Sequence, residues 1–118
     1  MTYVDGFVLP LPKDRIDEYR KLAAAACEIW KDHGALEYRE CIGEDIQTVE
    51  HGISFPAALG TRPSETVVFA WILYESREHR DAVNRRVMAD PRMNEMPGEM
   101  PFDVKRMLYG GFETVVEA

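Results

Sequence analysis

Thr66-Val67-Val68-Phe69-Ala70-Trp71-Ile72-Leu73-Tyr74 is the stretch on which the fold turns. It is β-branched and aromatic, with no polar side chain from Val67 to Leu73, so it predicts a strand buried on both faces at the centre of a sheet. Tyr3–Leu11 has the same character. Tyr3, Phe7, Leu9 and Leu11 share one face, Val4, Gly6 and Val8 the other, and Pro10 and Pro12 are expected to end it. Ala35–Gly43 alternates Leu36, Tyr38, Glu40 and Ile42 with Glu37, Arg39 and Cys41, the more polar pattern of a strand nearer an edge. Arg106–Val116 predicts a fourth strand, with Met107, Tyr109 and Val115 opposite Leu108, Phe112 and Val116, and with Gly110-Gly111 marking a bulge or a close backbone approach.

Helices fill the gaps between these strands. The first is expected from Asp14, as N-cap, to about His33, with Gly34 as its stop; Ile16, Tyr19, Leu22, Ala23, Ala26, Cys27 and Trp30 recur at helical spacing and face a core. Ser76 caps a second helix through about Ala89, where Asp90-Pro91 breaks it; a short turn continues to Met96 before a loop marked by Pro97, Gly98 and Pro101.

The order strand, helix, strand, strand, helix, strand predicts an α+β chain of ferredoxin-like βαββαβ type, a single domain over residues 1–118 with a four-stranded antiparallel sheet and both helices on one face. Two helices cover one side only, while several strands are apolar on both, so the bare side predicts a homodimer packed sheet to sheet. Residues 44–64 form a long connection, either a lid or a dimer arm in which Ile53, Phe55 and Leu59 are buried against the partner.

A formal net charge of −7 opposes nucleic acid. No apolar run reaches the roughly 20 residues that span a bilayer, and the Met1–Gly6 segment has neither a basic stretch nor a cleavage site, so no membrane is expected and a cytoplasmic location is. Cys27 and Cys41 read as packed thiols, and no metal-ligand spacing involves them. Nucleotide-binding glycine loops and the hydrolase elbow are missing, and no cofactor is expected.

The residues that remain as candidates for chemistry have structural explanations beside functional ones. His33 suits the C-terminus of the first helix, and His51 lies in the long loop. His79 stands at the core boundary of the second helix with Ala82, Val83 and Val87, where a packed histidine is the commoner outcome. Asp5 is a carboxylate in an apolar strand and needs a partner, for which Arg106 is the candidate; the pair reads as an ion pair or as the polar floor of a pocket. His79, Asp5 and Arg106 are thus the catalytic candidates. Trp71, Tyr74 and Tyr109, with Tyr3, Tyr38 and Phe112, are candidates to line an apolar cleft between sheet and helices that takes a flat small molecule.

Taken together, Tyr3-Val4-Asp5-Gly6-Phe7, His33-Gly34-Ala35-Leu36, Glu40-Cys41, Glu65-Thr66-Val67-Val68-Phe69 with Trp71, Met88-Ala89-Asp90-Pro91-Arg92-Met93, and Pro101–Met107 leading into Tyr109-Gly110-Gly111-Phe112 resemble the YbaA-like family of uncharacterised bacterial proteins, across almost the whole chain. The resemblance implies a dimeric alpha-beta barrel and brings no activity, cofactor or catalytic residue. Ser54 stands where an acidic residue is expected in that family. Two functions follow as expectations: a small aromatic or apolar molecule bound or transformed in a barrel cleft, as fold analogy suggests, or a non-enzymatic dimeric protein-interaction module using exposed Met93, Met96 and Met100.

Overall fold

A computed structural model describes residues 1–118. The strands are β1 (Tyr3–Pro12), β2 (Glu37–Ile42), β3 (Glu65–Tyr74) and β4 (Leu108–Glu113), and the helices α1 (Ile16–Asp32), α2 (Phe55–Leu59) and α3 (Arg77–Met88). The sheet is antiparallel with order β2-β3-β1-β4, the expected ferredoxin-like arrangement. β3 and β1 are the interior strands, paired over ten residues from Tyr3↔Tyr74 to Pro12↔Glu65. Pro10 does not end β1. It lies within the strand, where β4 has already stopped pairing at Val8, so a residue without an N–H leaves no ladder bond unmade on that side.

This register sends Asp5, Phe7, Leu9 and Leu11 of β1 and Val68, Ala70, Ile72 and Tyr74 of β3 to one face, the inner face, where two apolar clusters form. One joins Leu9, Leu11, Val68 and Ala70 to Tyr19 and Ala23 of α1; the other joins Ile72 and Tyr74 to Ile29, Ala35, Val83 and Val87. The outer face carries Val4, Val8, Phe69, Trp71, Leu108 and Phe112. Phe69, Leu108 and Phe112 are exposed by 44%, 56% and 61%, and no helix crosses the face. The molecule is accordingly a slab of 38 × 37 × 21 Å with a radius of gyration of 15.2 Å, above the roughly 13.5 Å of an equally long compact chain.

Several local expectations change. Asp14 is not the cap of α1; Lys13–Arg15 wind into a 3₁₀ turn after Pro12, and α1 begins at Ile16 without a side-chain cap bond. Gly34 does stop it, at φ 111°. Ser76 caps α3 by accepting from the His79 N–H at 3.0 Å. The last strand is shorter than expected because Val104–Arg106 form a 3₁₀ turn capped by Asp103. Gly110-Gly111 is no bulge: pairing to Gly6 and Asp5 runs without interruption. It is a close approach, since a side chain at Gly111 would collide with the Tyr3 ring, and the Phe112 ring lies over Gly6 and Gly110.

The expected Asp5–Arg106 pair does not form, because the two residues belong to opposite ends of β1, about 20 Å apart along the strand. Arg106 reaches Glu65 at the β1 C-terminal end, through bonds of 2.7 and 3.0 Å, and also donates to the Gly60 carbonyl. Asp5 instead lies 3.4 Å from Arg80 of α3. Arg80 donates as well to the hydroxyls of Tyr3 and Tyr109. Asp5 is 2% exposed, and its Oδ1 has no hydrogen-bond donor; burial pushes its carboxyl above the usual carboxylate range, with Arg80 pulling the other way.

Two outcomes follow. Arg80→Gln leaves a buried carboxylate without its cation, and a loss of about 3 kcal/mol is expected in urea unfolding; an unchanged midpoint would show that Asp5 is held by other groups. Glu65 is held below its ordinary range, chiefly by its hydrogen bonds from Arg106. Its contribution is therefore full above the ordinary glutamate pKa and is lost as pH falls through the lower folded value. Glu65→Gln is expected to lower the melting temperature by about 4–8 °C at pH 7, with the gap to the unsubstituted protein closing as the pH is taken below about 4.

Candidate functional site

Between α1 and the inner face lies a cavity of about 280 Å³ lined by 19 residues, 17 of them hydrophobic. The sheet supplies Phe7, Leu9, Ala70 and Ile72 as its floor, and α1 supplies Tyr19, Leu22, Ala23, Ala26 and Trp30 as its roof. One side is lined by the segment after α3, whose 3₁₀ turn Pro91–Glu95 and following loop bring in Met93, Met96, Met100, Phe102, Val104 and Met107. These methionines, expected as an exposed contact surface, are half-buried against the cavity: Asp90-Pro91 turns the chain back under α1 rather than out to solvent. The turn is anchored where Asp90 accepts from Arg92 and meets His33 Nε2 at 2.7 Å, while Arg92 also donates to Asp32 at the end of α1.

One polar group stands out in this lining. Glu40 belongs to the inner-facing pleat of β2, in register with Ala70, and each of its carboxylate oxygens accepts from a tyrosine: Oε1 from Tyr19 at 2.6 Å and Oε2 from Tyr38 at 2.8 Å. Burial first, and the Glu40 charge second, push both phenols far above the ordinary tyrosine range, so both remain donors. The remaining charged residue of the lining, Arg39, lies on the opposite pleat with its guanidinium 5.9 Å from the centre of the Trp71 ring.

The candidate residues fall in different places. Trp71 borders the cavity, but its indole projects to the outer face, 6.0 Å from the Phe69 ring. Tyr74 is fully buried between β3 and α3, its hydroxyl 3.5 Å from Asn84. Tyr109 stacks on Phe7 at 4.9 Å and is half exposed. His79 Nδ1 accepts from the Glu75 N–H at 2.9 Å and its ring meets Tyr74 edge-on, so its one visible task is to hold the entry into α3. Asp5 and Arg106 sit in the separate ion pairs described above. Phe112 lies on the outer face, where it rims an open hollow with Val4, Val8, Phe69 and Leu108. Sequence reasoning assigned Tyr19 to the core and gave Glu40 no role; the available signal was a carboxylate in phase with Tyr38 on the half-buried pleat of a strand.

Residues 44–64 do not line the cavity. Their helix α2 sets Phe55 edge-on to Phe69 at 6.2 Å, beside the outer face. Ser54 caps α2, its hydroxyl accepting from the Ala57 N–H; an acidic residue at this position would make the same bond, so the substitution preserves the cap. No three His, Cys, Asp or Glu side chains converge on a point that suits a metal ion, and no helix is long and apolar enough to cross a membrane.

Among solved structures, an uncharacterized NIPSNAP domain protein from Burkholderia xenovorans superposes with a TM-score of 0.58 over 98% of this chain and 97% of its own, at 14% identity; this is a likeness of fold. The uncharacterized protein YbaA of Escherichia coli K12 and that of Shigella flexneri are each 47% identical over 117 residues, which is 99% of both this chain and the relative. Residues 2–104 match the family described as "Protein of unknown function (DUF1428)". With a family match over most of its length, the chain belongs to the DUF1428 family, and it is a full-length relative of the YbaA proteins.

Proposed function

We propose that the protein binds a small, largely apolar and preferably aromatic molecule in the cavity between α1 and the sheet, and that it does so as a homodimer joined through the outer face. The observation that carries the first part is the cavity itself. At about 280 Å³ it exceeds the roughly 150 Å³ that suffices for benzene in an otherwise closed protein core, and it combines an aromatic and methionine lining with one oriented carboxylate. A predominantly apolar and aromatic lining with a few convergent polar groups is the usual composition of a small-molecule site.

The outer face supports the second part. It exposes Phe69, Leu108 and Phe112 together with half-buried Val4, Val8 and Trp71, a larger contiguous apolar patch than a monomer normally leaves to water. A second copy presenting the same face supplies a sheet of matching shape and apolarity about a two-fold axis. Phe55 of α2 already packs beside Phe69, so the 44–64 segment would extend that interface as an arm rather than close the cavity as a lid.

Calorimetric titration with 1-naphthylmethanol, a neutral bicyclic probe, is expected to give a Kd of about 10–100 µM, in keeping with roughly 0.5 kcal/mol per heavy atom. Ala26→Phe fills the cavity from α1 and is expected to abolish this binding without lowering the melting temperature; binding that survives the substitution would place the probe elsewhere. Light scattering at about 10 µM should return twice the 13.5 kDa chain mass, and Phe69→Asp should halve it with the far-UV spectrum unchanged. A 13.5 kDa species from the unsubstituted protein would remove the dimer.

A further inference from the structure

Of the two charged residues in the cavity lining, Glu40 is the one on the inner-facing pleat, and it sets what kind of molecule the cavity prefers. Resting on the cavity-binding reading above, we propose that the occupant is cationic: a primary or secondary ammonium carried on an aromatic or aliphatic body, with the ammonium seated on Glu40. A carboxylate offers about four lone-pair directions. Tyr19 and Tyr38 take one on each oxygen and so orient the group, leaving the others for a ligand that donates.

The protein itself provides no cation for this carboxylate. Arg39, the adjacent residue, stacks over Trp71 on the far side of the sheet. Arg20 faces Glu40 across a shallow groove of about 250 Å³ between α1 and β2, but its guanidinium pairs with Asp17 at 2.8 Å on the surface of α1. A carboxylate set in an apolar wall with hydroxyl donors and no counterion is costly to desolvate, and an incoming cation relieves that cost while a neutral molecule does not. The aromatic lining acts in the same direction. Trp30 lies 6.3 Å from Tyr38, and Phe102 5.8 Å from Tyr19, so the two tyrosines that hold Glu40 stand among further aromatic rings, the side chains that attract a cation through their quadrupoles. The net charge of −7 favours the approach of cations over anions at long range.

Three probes of one shape test this: 1-naphthylmethylammonium, 1-naphthylmethanol and 1-naphthoate, titrated into the full chain at pH 7. The ammonium is expected to bind about tenfold or more tighter than the alcohol, and the carboxylate not measurably. Glu40→Gln is expected to bring the ammonium down to the affinity of the alcohol while changing the alcohol less than about twofold. An alcohol that binds as tightly as the ammonium, or a preference for the ammonium that persists in Glu40→Gln, overturns the assignment of charge and leaves the cavity reading intact. Failure of all three to bind overturns the cavity reading, and this inference with it. The ratio between ammonium and alcohol in the unsubstituted protein is decisive even if Glu40→Gln does not fold.

Discussion

Everything in this molecule depends on the ten-residue pairing of β1 with β3. Strand side chains alternate, so a slip of one residue would exchange the two faces throughout. Val4, Gly6 and Val8 would then lie under the helices, and Asp5 would be carried away from Arg80. The other strands take their register from this central pair, β2 from β3 and β4 from β1. Glu40 reaches the inner face because Ala70 does. The same ladder that builds the core thus sets where the one inward-facing carboxylate of the cavity stands.

The cavity has a simple origin in side-chain size. Where α1 crosses the sheet it presents Ala23 and Ala26, and the strand beneath presents Ala70. Larger residues on either side, Tyr19 toward one end of α1 and Trp30 toward the other, hold the helix at a distance that these alanines cannot fill. The methionines and Phe102 of the covering segment flank the space without occupying it. A void of this kind forfeits dispersion contacts along its whole lining, and nothing in the backbone geometry imposes it: leucine in place of the alanines would close it.

The periodic elements were legible in the sequence because burial of one or both faces leaves a mark every second or every third and fourth residue. Thr66–Tyr74 and Tyr3–Leu11 declared themselves central strands, the polar alternation around Tyr38 declared an edge, and Ser76 and Gly34 marked helix ends through bonds local to the chain. Partnerships between distant residues were not legible. Asp5 announced that it needed a cation, yet only the antiparallel register decides that Arg80, and not Arg106, is near it. Trp71 and Tyr74 looked like pocket residues by type, and pleat parity and helix placement send one ring outward and the other into the core. Glu40 passed unnoticed because, as one of three charged residues on an edge strand, it reads as surface until α1 is laid over it with Tyr19 in place.

The side wall of the cavity differs in kind from its floor and roof. From Asp90 to Met107 the chain makes only short-range turn bonds, such as Met93 to Asp90 and Arg106 to Asp103, and is otherwise pinned at its ends by the Asp90–Arg92–His33 cluster and by Arg106 on Glu65. Local stability rests on buried apolar contacts as well as on cooperative backbone bonds. This wall is therefore held to the rest of the molecule by the packing of Met93, Met96, Phe102 and Met107 against the two apolar clusters, with no ladder of backbone bonds to hold it there, and its position depends on side-chain fit in a way that the position of the floor does not.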